Sequence, residues 1–358
     1  MNGREIEAKL ICRYADVREV LRNPVFSREA AKAADDVDVS GTILGMDGEQ
    51  HARVRAIVND SFTKAATERL HDIIRANALA RLNEMTRLNG TVDLVADYAT
   101  PLSLGIICDM LGVPEQDRMN FREWGKAFLG TADLTREQAA EAAVAMGTYL
   151  TRQLMLRRTE PQDDLLSRIA GAEYSYEVLA SLALALIVGG WETASSSIAR
   201  YAFVLLTRPY EDYESGWSHL LDHADEVDSA VMELERLYST STGDDMPRVA
   251  TRDITLPSGN EIRQGEVVIP SHDAANRDPS VFSEPERMDF RRHPNPHLSF
   301  GYGAHHCIGR HLGGLEVRAA IRLLLERLPT LSLAVSPDQV EWSAGHTITS
   351  PTALPVTW

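Results

Sequence analysis

The sequence predicts a mainly α fold with small β-sheets, built as one domain spanning residues 1–358, and three observations lead there. Helical periodicity dominates from Thr63 to about Leu237, in stretches such as "TKAATERLHDIIRANALARLNEM" and "TREQAAEAAVAMGTYLTRQLMLRR", where Ala, Leu and Arg add propensity. After Arg248 the pattern changes to β-branched residues alternating with polar ones. No internal repeat, low-complexity segment or linker interrupts the 358 residues, and 44% hydrophobic content is enough to bury a sizeable core.

Taken in order, residues of about 5–15 read as β-rich, and a helix-rich core is expected over about 50–237 and 297–328. The stretch "LASLALALIVGGW" from 179 to 191 is shorter than the roughly 20 residues that cross a bilayer, and Glu192 and Arg200 follow it, so it reads as a buried helix. Residues 248–270 alternate around Ser258-Gly259-Asn260 as a hairpin does. The text from 271 to 296, rich in Pro, Asp and Arg without a period, reads as an ordered irregular loop. A glycine-rich loop then feeds the helix "HLGGLEVRAAIRLLLERL", and residues 330–358 read as β-rich again.

A net charge of −16 without any basic run argues against nucleic acid and against anionic membrane surfaces, so small molecules or proteins are the expected partners. Cys12, Cys108 and Cys307 are odd in number and far apart, which implies no disulfide framework and fits a reducing interior. The N-terminal "MNGREIEAKL" has neither an apolar export core nor an Arg-rich amphipathic pattern, so a cytoplasmic protein is expected.

The chemistry concentrates in "HLSFGYGAHHCIGRHLGG", residues 297–314. A helix N-terminus favours an anion, so Cys307 is placed to be a thiolate. Gly301, Gly303 and Gly309 allow sharp turns and the close approach of a large flat group. Zinc is the alternative, with His305, His306, Cys307 and His311 at hand, but the usual paired spacings are missing. A buried cysteine with satisfied histidines is the bland alternative, and it leaves the glycines unexplained.

"FGYGAHHCIG", with Phe300, Gly301, Gly303, His305, Cys307 and Gly309, resembles the haem-binding loop F-G-x-G-x-H-x-C-x-G of soluble bacterial cytochromes P-450. The resemblance implies haem b (iron protoporphyrin IX) with Cys307 as the axial iron ligand and His305 on a propionate; a thiolate pushes electron density onto the iron and favours O–O cleavage. "MDGEQHARVR" resembles the start of the family's C helix and implies that His51 and Arg55 meet propionates, with Arg248 a further propionate ligand. "ELER" matches E-x-x-R through Glu233 and Arg236, with Arg287 of "PERM" as the expected third member. "GGWETASSS" is similar to the family's A/G-G-x-D/E-T-T/S, so Gly189 and Gly190 imply room for oxygen, and Glu192 and Thr193 a catalytic proton relay, with Ala194 replacing a second hydroxyl.

Residues with a P-450 likeness run from about Leu10 to the C-terminus. Typical members carry a helix and a first strand upstream of text like "LICRYADVREVLRNPVFS", which this chain reaches almost at once, and the expected variable loop from Phe26 to Met46 is short and rich in small residues. The implied activity is a haem-thiolate monooxygenase of bacterial secondary metabolism, hydroxylating, epoxidising or coupling a small lipophilic or weakly polar metabolite. Ala185, Val188, Ser241 and Thr349 are the implied pocket positions. Electrons are expected from a separate ferredoxin and an NAD(P)H-linked ferredoxin reductase, with Arg310 in the docking patch. A peroxide-driven enzyme and a non-catalytic haem sensor are the rivals. The first is disfavoured because fatty-acid peroxygenases carry Arg-Pro where Glu192-Thr193 stand, and the second gives that pair no role.

Overall fold

A computed structural model describes residues 7–32, 41–88, 90–118, 120–121, 124, 135–240, 246–343 and 348–358. In chain order the elements used below begin with β1 (Ala8–Ile11), α1 (Tyr14–Arg22), β2 (Phe26–Ser27) and α2 (Gly48–Asn59). They continue with α3 (His71–Met85), β3 (Val92–Asp93), α4 (Thr100–Leu111), α5 (Arg136–Thr159), α6 (Tyr176–Thr207) and α7 (Val227–Leu237). Next come β4 (Arg248–Ala250), β5 (Ile254–Thr255), β6 (Glu261–Ile262), β7 (Val267–Pro270) and α8 (His272–Ala275). The last are α9 (Arg310–Arg327), β8 (Ser332–Leu333) and β9 (Pro355–Thr357). They fall into two compact units, one made of residues 1–56 and 232–308, the other of 57–231 and 309–358.

The first unit is built on a four-stranded sheet in the order β1-β7-β4-β2, with β1 parallel to β7 and the other pairs antiparallel. Tyr14, Val17, Val20 and Leu21 recur at helical spacing along α1 and are buried with Phe26, Val268, Ile262, Phe282 and Leu298 in one apolar cluster. The expected hairpin is present as β5 and β6, antiparallel, closed by Leu256 N–H to the Asn260 carbonyl at 2.8 Å and turned at Gly259 with φ +89°. The irregular text beyond β7 begins with the short α8, because the Ser271 hydroxyl accepts from Ala274 N–H and caps one turn.

In the second unit the apolar stretch is part of a longer helix than its sequence core suggests: α6 has 32 residues, capped by the Ser175 hydroxyl accepting from Val178 N–H. By length and composition alone α6 could cross a membrane, yet half of its most apolar window is buried inside the protein. Leu179, Leu182, Leu186, Ile187, Trp191, Ala194, Ile198 and Leu205 form its buried face. It packs on α4 and α5, and α9 buries Leu312, Val317, Ile321 and Leu324 against α3 and α6. A small antiparallel sheet, β3-β9-β8, closes this unit.

Candidate active site

The cysteine loop belongs to the first unit, and its backbone closes on itself. Gly301 N–H donates to the Leu298 carbonyl at 2.8 Å, His306 N–H to that of Gly303 at 3.1 Å, and Cys307 N–H to that of Phe300 at 2.8 Å. Gly301 and Gly303 take φ of +70° and +76°, which disfavours side chains. At Gly303 the demand is also steric, and it differs from the expected close approach of a ligand. A Cβ there would stand 2.7 Å from the Leu21 carbonyl oxygen and 2.8 Å from Arg22 Cα, so the glycine lets the loop lie against the end of α1. Gly309 caps α9 at φ −81°, a value open to any residue, so its glycine answers no backbone strain. The Cys307 side chain is exposed.

Behind the loop stands a buried ion network. Glu233 and Arg236, both fully buried, form a two-pronged pair with Arg236 Nε and Nη2 at 2.9 and 2.7 Å from the carboxylate. The expected third member, Arg287, is more than half exposed: its guanidinium pairs with Glu284 at 3.0 Å on the surface, and its carbonyl receives Arg236 Nη2 at 3.2 Å. Arg292 joins the network, donating from Nε to Glu233 at 3.0 Å, because the chain turns back after Arg287 and brings "FRRHP" under α7. Asn295 Nδ2 donates to the same carboxylate at 3.1 Å. The network reaches the loop through Asn276, whose amide receives Leu298 N–H at 2.6 Å and donates to Ser299 Oγ at 2.8 Å. Arg18 ties the other side, donating to the Tyr302 hydroxyl at 2.8 Å with its guanidinium 4.6 Å from the ring centre.

His51, Arg55, Arg248 and His305 gather in the same unit with two residues that sequence reasoning missed, Arg28 and Asp47. The rings of His51 and His305 lie with their centres 4.1 Å apart, tilted by 37°. Arg55 Nη2 donates to the His306 carbonyl at 2.6 Å, and its charge interacts with Cys307. Burial lowers the pKa of all four, and the neighbouring cations add to the effect for His51, Arg248 and His305: His51 falls to about 4 and Arg248 to about 10. Among the described residues Asp47 is the carboxylate seen against this group. Burial opposes its charge, but bonds from His305, Ser27 and the Glu29 N–H hold its pKa far below the usual range. His305 lies 3.7 Å from Asp47, so the residue expected to serve only a propionate already has an acid at its side. Asp47 was visible in "MDGEQHARVR", four residues ahead of His51, whereas Arg28 carries no spacing signal at all.

Three guanidinium groups and two imidazoles facing one carboxylate leave a cationic surplus that suits a dianionic ligand. Beside them stands an exposed thiol on a glycine-turned loop. A flat group with two carboxylates and a metal that takes one sulfur fits this donor set. Among the described residues no three of His, Cys, Asp and Glu converge as a metal-ion site.

The acid–alcohol pair lies in the second unit, on α6. Glu192 and Thr193 share the incompletely buried stripe of the helix with Ala185, Val188 and Gly189, while Leu186, Ile187, Trp191 and Ala194 face inward. Burial pushes the Glu192 carboxyl up to about 7. The Thr193 hydroxyl donates to the Gly189 carbonyl at 2.7 Å, so its own proton is committed and its lone pairs remain to accept. The two glycines differ. A Cβ on Gly189 would meet nothing within 4 Å, in keeping with expected room, but one on Gly190 would stand 3.0 Å from Ile107 Cδ1, so Gly190 answers to packing on α4. The carbonyl of Thr349 receives Arg200 Nη1 at 2.9 Å, and Ser241 lies outside the described residues.

The loop with its thiol and cationic cluster, and the acid–alcohol helix, are together the residue set of a haem-thiolate oxygenase. The cytochrome P450 family profile matches residues 223–352. Mycinamicin IV hydroxylase/epoxidase of Micromonospora griseorubida is 38% identical over 98% of this chain and 90% of that protein. Nocardicin C N-oxygenase of Nocardia uniformis subsp. tsuyamanensis is 35% identical over 98% and 89%. The crystal structure of HinD with NMFT and NO superposes with a TM-score of 0.90 at 38% identity, covering 98% of this chain and 90% of that one. The chain belongs to the cytochrome P450 family, and it is a P450 monooxygenase whose cofactor is haem b.

Proposed function

We propose that this enzyme places one oxygen atom from O2 into a small lipophilic or weakly polar metabolite of bacterial secondary metabolism, by hydroxylation or epoxidation, or couples such molecules oxidatively. The electrons come from NAD(P)H through a separate ferredoxin reductase and ferredoxin, in the cytoplasm. The observation that carries this reading is Glu192 beside Thr193 on the open stripe of α6, with a carboxyl that still holds its proton near neutral pH. Relatives named as a hydroxylase/epoxidase and an N-oxygenase support oxygen transfer to natural products.

When bound, haem supplies the binding and activation of dioxygen. Cys307 would hold the iron through its thiolate, and the arginine beside it, Arg55, favours that charge. Arg55, Arg248, His51 and His305 would hold the haem's two carboxylates. Glu192 stores a proton, and Thr193, with lone pairs free to accept, orients the water that passes it on. Ala185, Val188 and Gly189 leave space for substrate, and Glu233, Arg236 and Arg292 keep the loop rigid.

Purified protein should hold one haem b, and its reduced CO complex should absorb at the wavelength that gives the family its name; Cys307→Ala should lose that band. Product should form with NAD(P)H, ferredoxin and reductase. Turnover by hydrogen peroxide alone, or ligand binding without turnover, would sink the proposal in favour of a peroxide-driven enzyme or a sensor.

A further inference from the structure

The apolar stripe of α9 is broken by an acid. Leu312, Glu316, Ala320 and Leu324 recur every fourth residue and are all buried, so Glu316 stands where the pattern calls for a hydrophobe. The residue is 1% exposed, and its Oε1 has no hydrogen-bond partner among the described residues. Tyr98, fully buried in the turn Val95–Ala99 before α4, meets the same helix one turn further on. Its O–H donates to the Ala320 carbonyl at 3.4 Å, so that proton is spent.

The charged groups of the elements packed on α9 are committed elsewhere. Lys64 of the short helix Lys64–Glu68 pairs with Glu68, Arg75 and Arg81 of α3 pair with Glu326 and Glu84, and His71 with Asp72. His219 of the short helix Gly216–Asp222 meets Glu226, and Asp222 receives the Tyr213 hydroxyl. On α6, Arg200 donates to the Thr349 carbonyl, Glu177 is exposed and Glu192 lies on the open stripe. On α9 itself Arg318 and Arg322 reach Asp228, Arg310 and Arg327 are exposed at its ends, and His311 lies among Arg310, Lys64, Arg318 and Glu68. Among the described residues none of these compensates a charge on Glu316. A carboxylate there would be an unpaired buried charge, far costlier than an unpaired neutral acid, so the folded chain keeps the proton. Burial pushes the carboxyl up to about 8, with the Ser103 hydroxyl opposing it.

We propose that Glu316 is a proton-dependent latch on α9: as a neutral acid it lets the helix pack on α3 and α6, and its ionisation loosens that packing. The helix starts three residues beyond Cys307, so it is the anchor that holds the cysteine loop at its C-terminal end. The folded state holds the Glu316 proton more tightly than the unfolded chain does. Stability therefore falls as pH rises from the ordinary carboxyl range through about 8, and above that the folded protein carries the charge.

The test sets the holoenzyme beside Glu316→Gln and Glu316→Met, neither of which can ionise; Met brings no hydrogen-bonding group that needs a partner, so it serves if the amide fails to pack. Glu192 is the same in all three proteins, so its titration cancels. Infrared spectra of the parent at about pH 6 should hold the carbonyl band of a protonated carboxyl that both variants lack, and the band should fade as pH passes about 8. Hydrogen exchange of α9 peptides, compared at equal pH, should agree within about twofold at the lower pH, and at about pH 9.5 the parent should exchange about tenfold faster than either variant. In alkali haem should also pass to excess apomyoglobin about fivefold faster from the parent. No extra acid band in the parent, variants that exchange as fast as the parent in alkali, or haem loss equal in all three would overturn the proposal.

Discussion

Glu192 shows how much one residue's surroundings decide. An exposed glutamate is ionised at pH 7, but burial pushes this one up to about 7, so it can both give and take a proton at working pH. Thr193→Ala deletes a hydroxyl and a methyl from a helix that tolerates alanine, so haem and pocket should survive. NAD(P)H and oxygen should still be consumed, leaving as hydrogen peroxide instead of product. Glu192→Gln should slow turnover by something on the order of 10²–10⁴-fold. The ratio of product to NAD(P)H consumed checks both, and a tightly coupled Thr193→Ala enzyme would remove Thr193 from the relay. Glu192 also makes stability depend on pH. Its raised pKa means the folded state holds the proton more tightly than the unfolded chain, so stability declines as pH rises from the ordinary carboxyl range through about 7. Glu192→Gln should therefore gain in thermal midpoint over the parent at pH 8 and not at pH 4. The second residue-scale case is the E-x-x-R partner. Arg292→Ala strips a buried charged hydrogen bond from Glu233 and should cost about 2 kcal/mol, whereas Arg287→Ala, paired at the surface, should stay within about 0.5 kcal/mol. Equal thermal midpoints for the two variants would contradict the assignment.

At the scale of elements, α6 has two jobs that its amphipathic pattern separates. One face binds α4 and α5, and the open stripe holds Ala185, Val188, Gly189, Glu192 and Thr193. The adjacent glycines test the division. Gly189→Ala has space and should gain up to about 1 kcal/mol from helix propensity, while placing a methyl where room is needed and weakening the substrate-induced spin shift. Gly190→Ala drives a Cβ to 3.0 Å from Ile107 and should be the less stable of the two by about 1 kcal/mol or more. Melting both holoenzymes side by side decides it; Gly190→Ala matching Gly189→Ala would show that Ile107 yields freely. The cysteine loop makes the complementary case, since its shape comes from neighbours. Arg18 on α1, Asn276 after α8 and the buried pair on α7 hold it from several sides. Such a loop needs little ordering when its ligand arrives, which keeps the site pre-formed.

For the whole molecule, the ferredoxin proposed as electron donor would need a local basic patch on a chain of net charge −16. Arg310 is exposed at the start of α9, three residues beyond Cys307. Arg310→Glu should slow reduction by ferredoxin and flatten its dependence on salt while substrate binding stays intact. Reduction rates indifferent to the substitution would move the docking patch elsewhere. The sequence alone determined the helical majority and the hairpin at Gly259, and it pointed to Cys307 and the Glu192-Thr193 pair as site candidates, because each is a local pattern: period, turn chemistry or contiguous motif. It also brought His51, Arg55, Arg248 and His305 into view through family likeness. Only the tertiary structure decided that Arg292 donates to Glu233, that Gly303 and Gly190 serve packing, and that Arg28 and Asp47 stand with the cationic cluster. Those facts depend on which side chains distant segments bring within hydrogen-bond reach. Direction and burial of a side chain are set by the packed fold, and sequence spacing carries no record of them beyond a few residues.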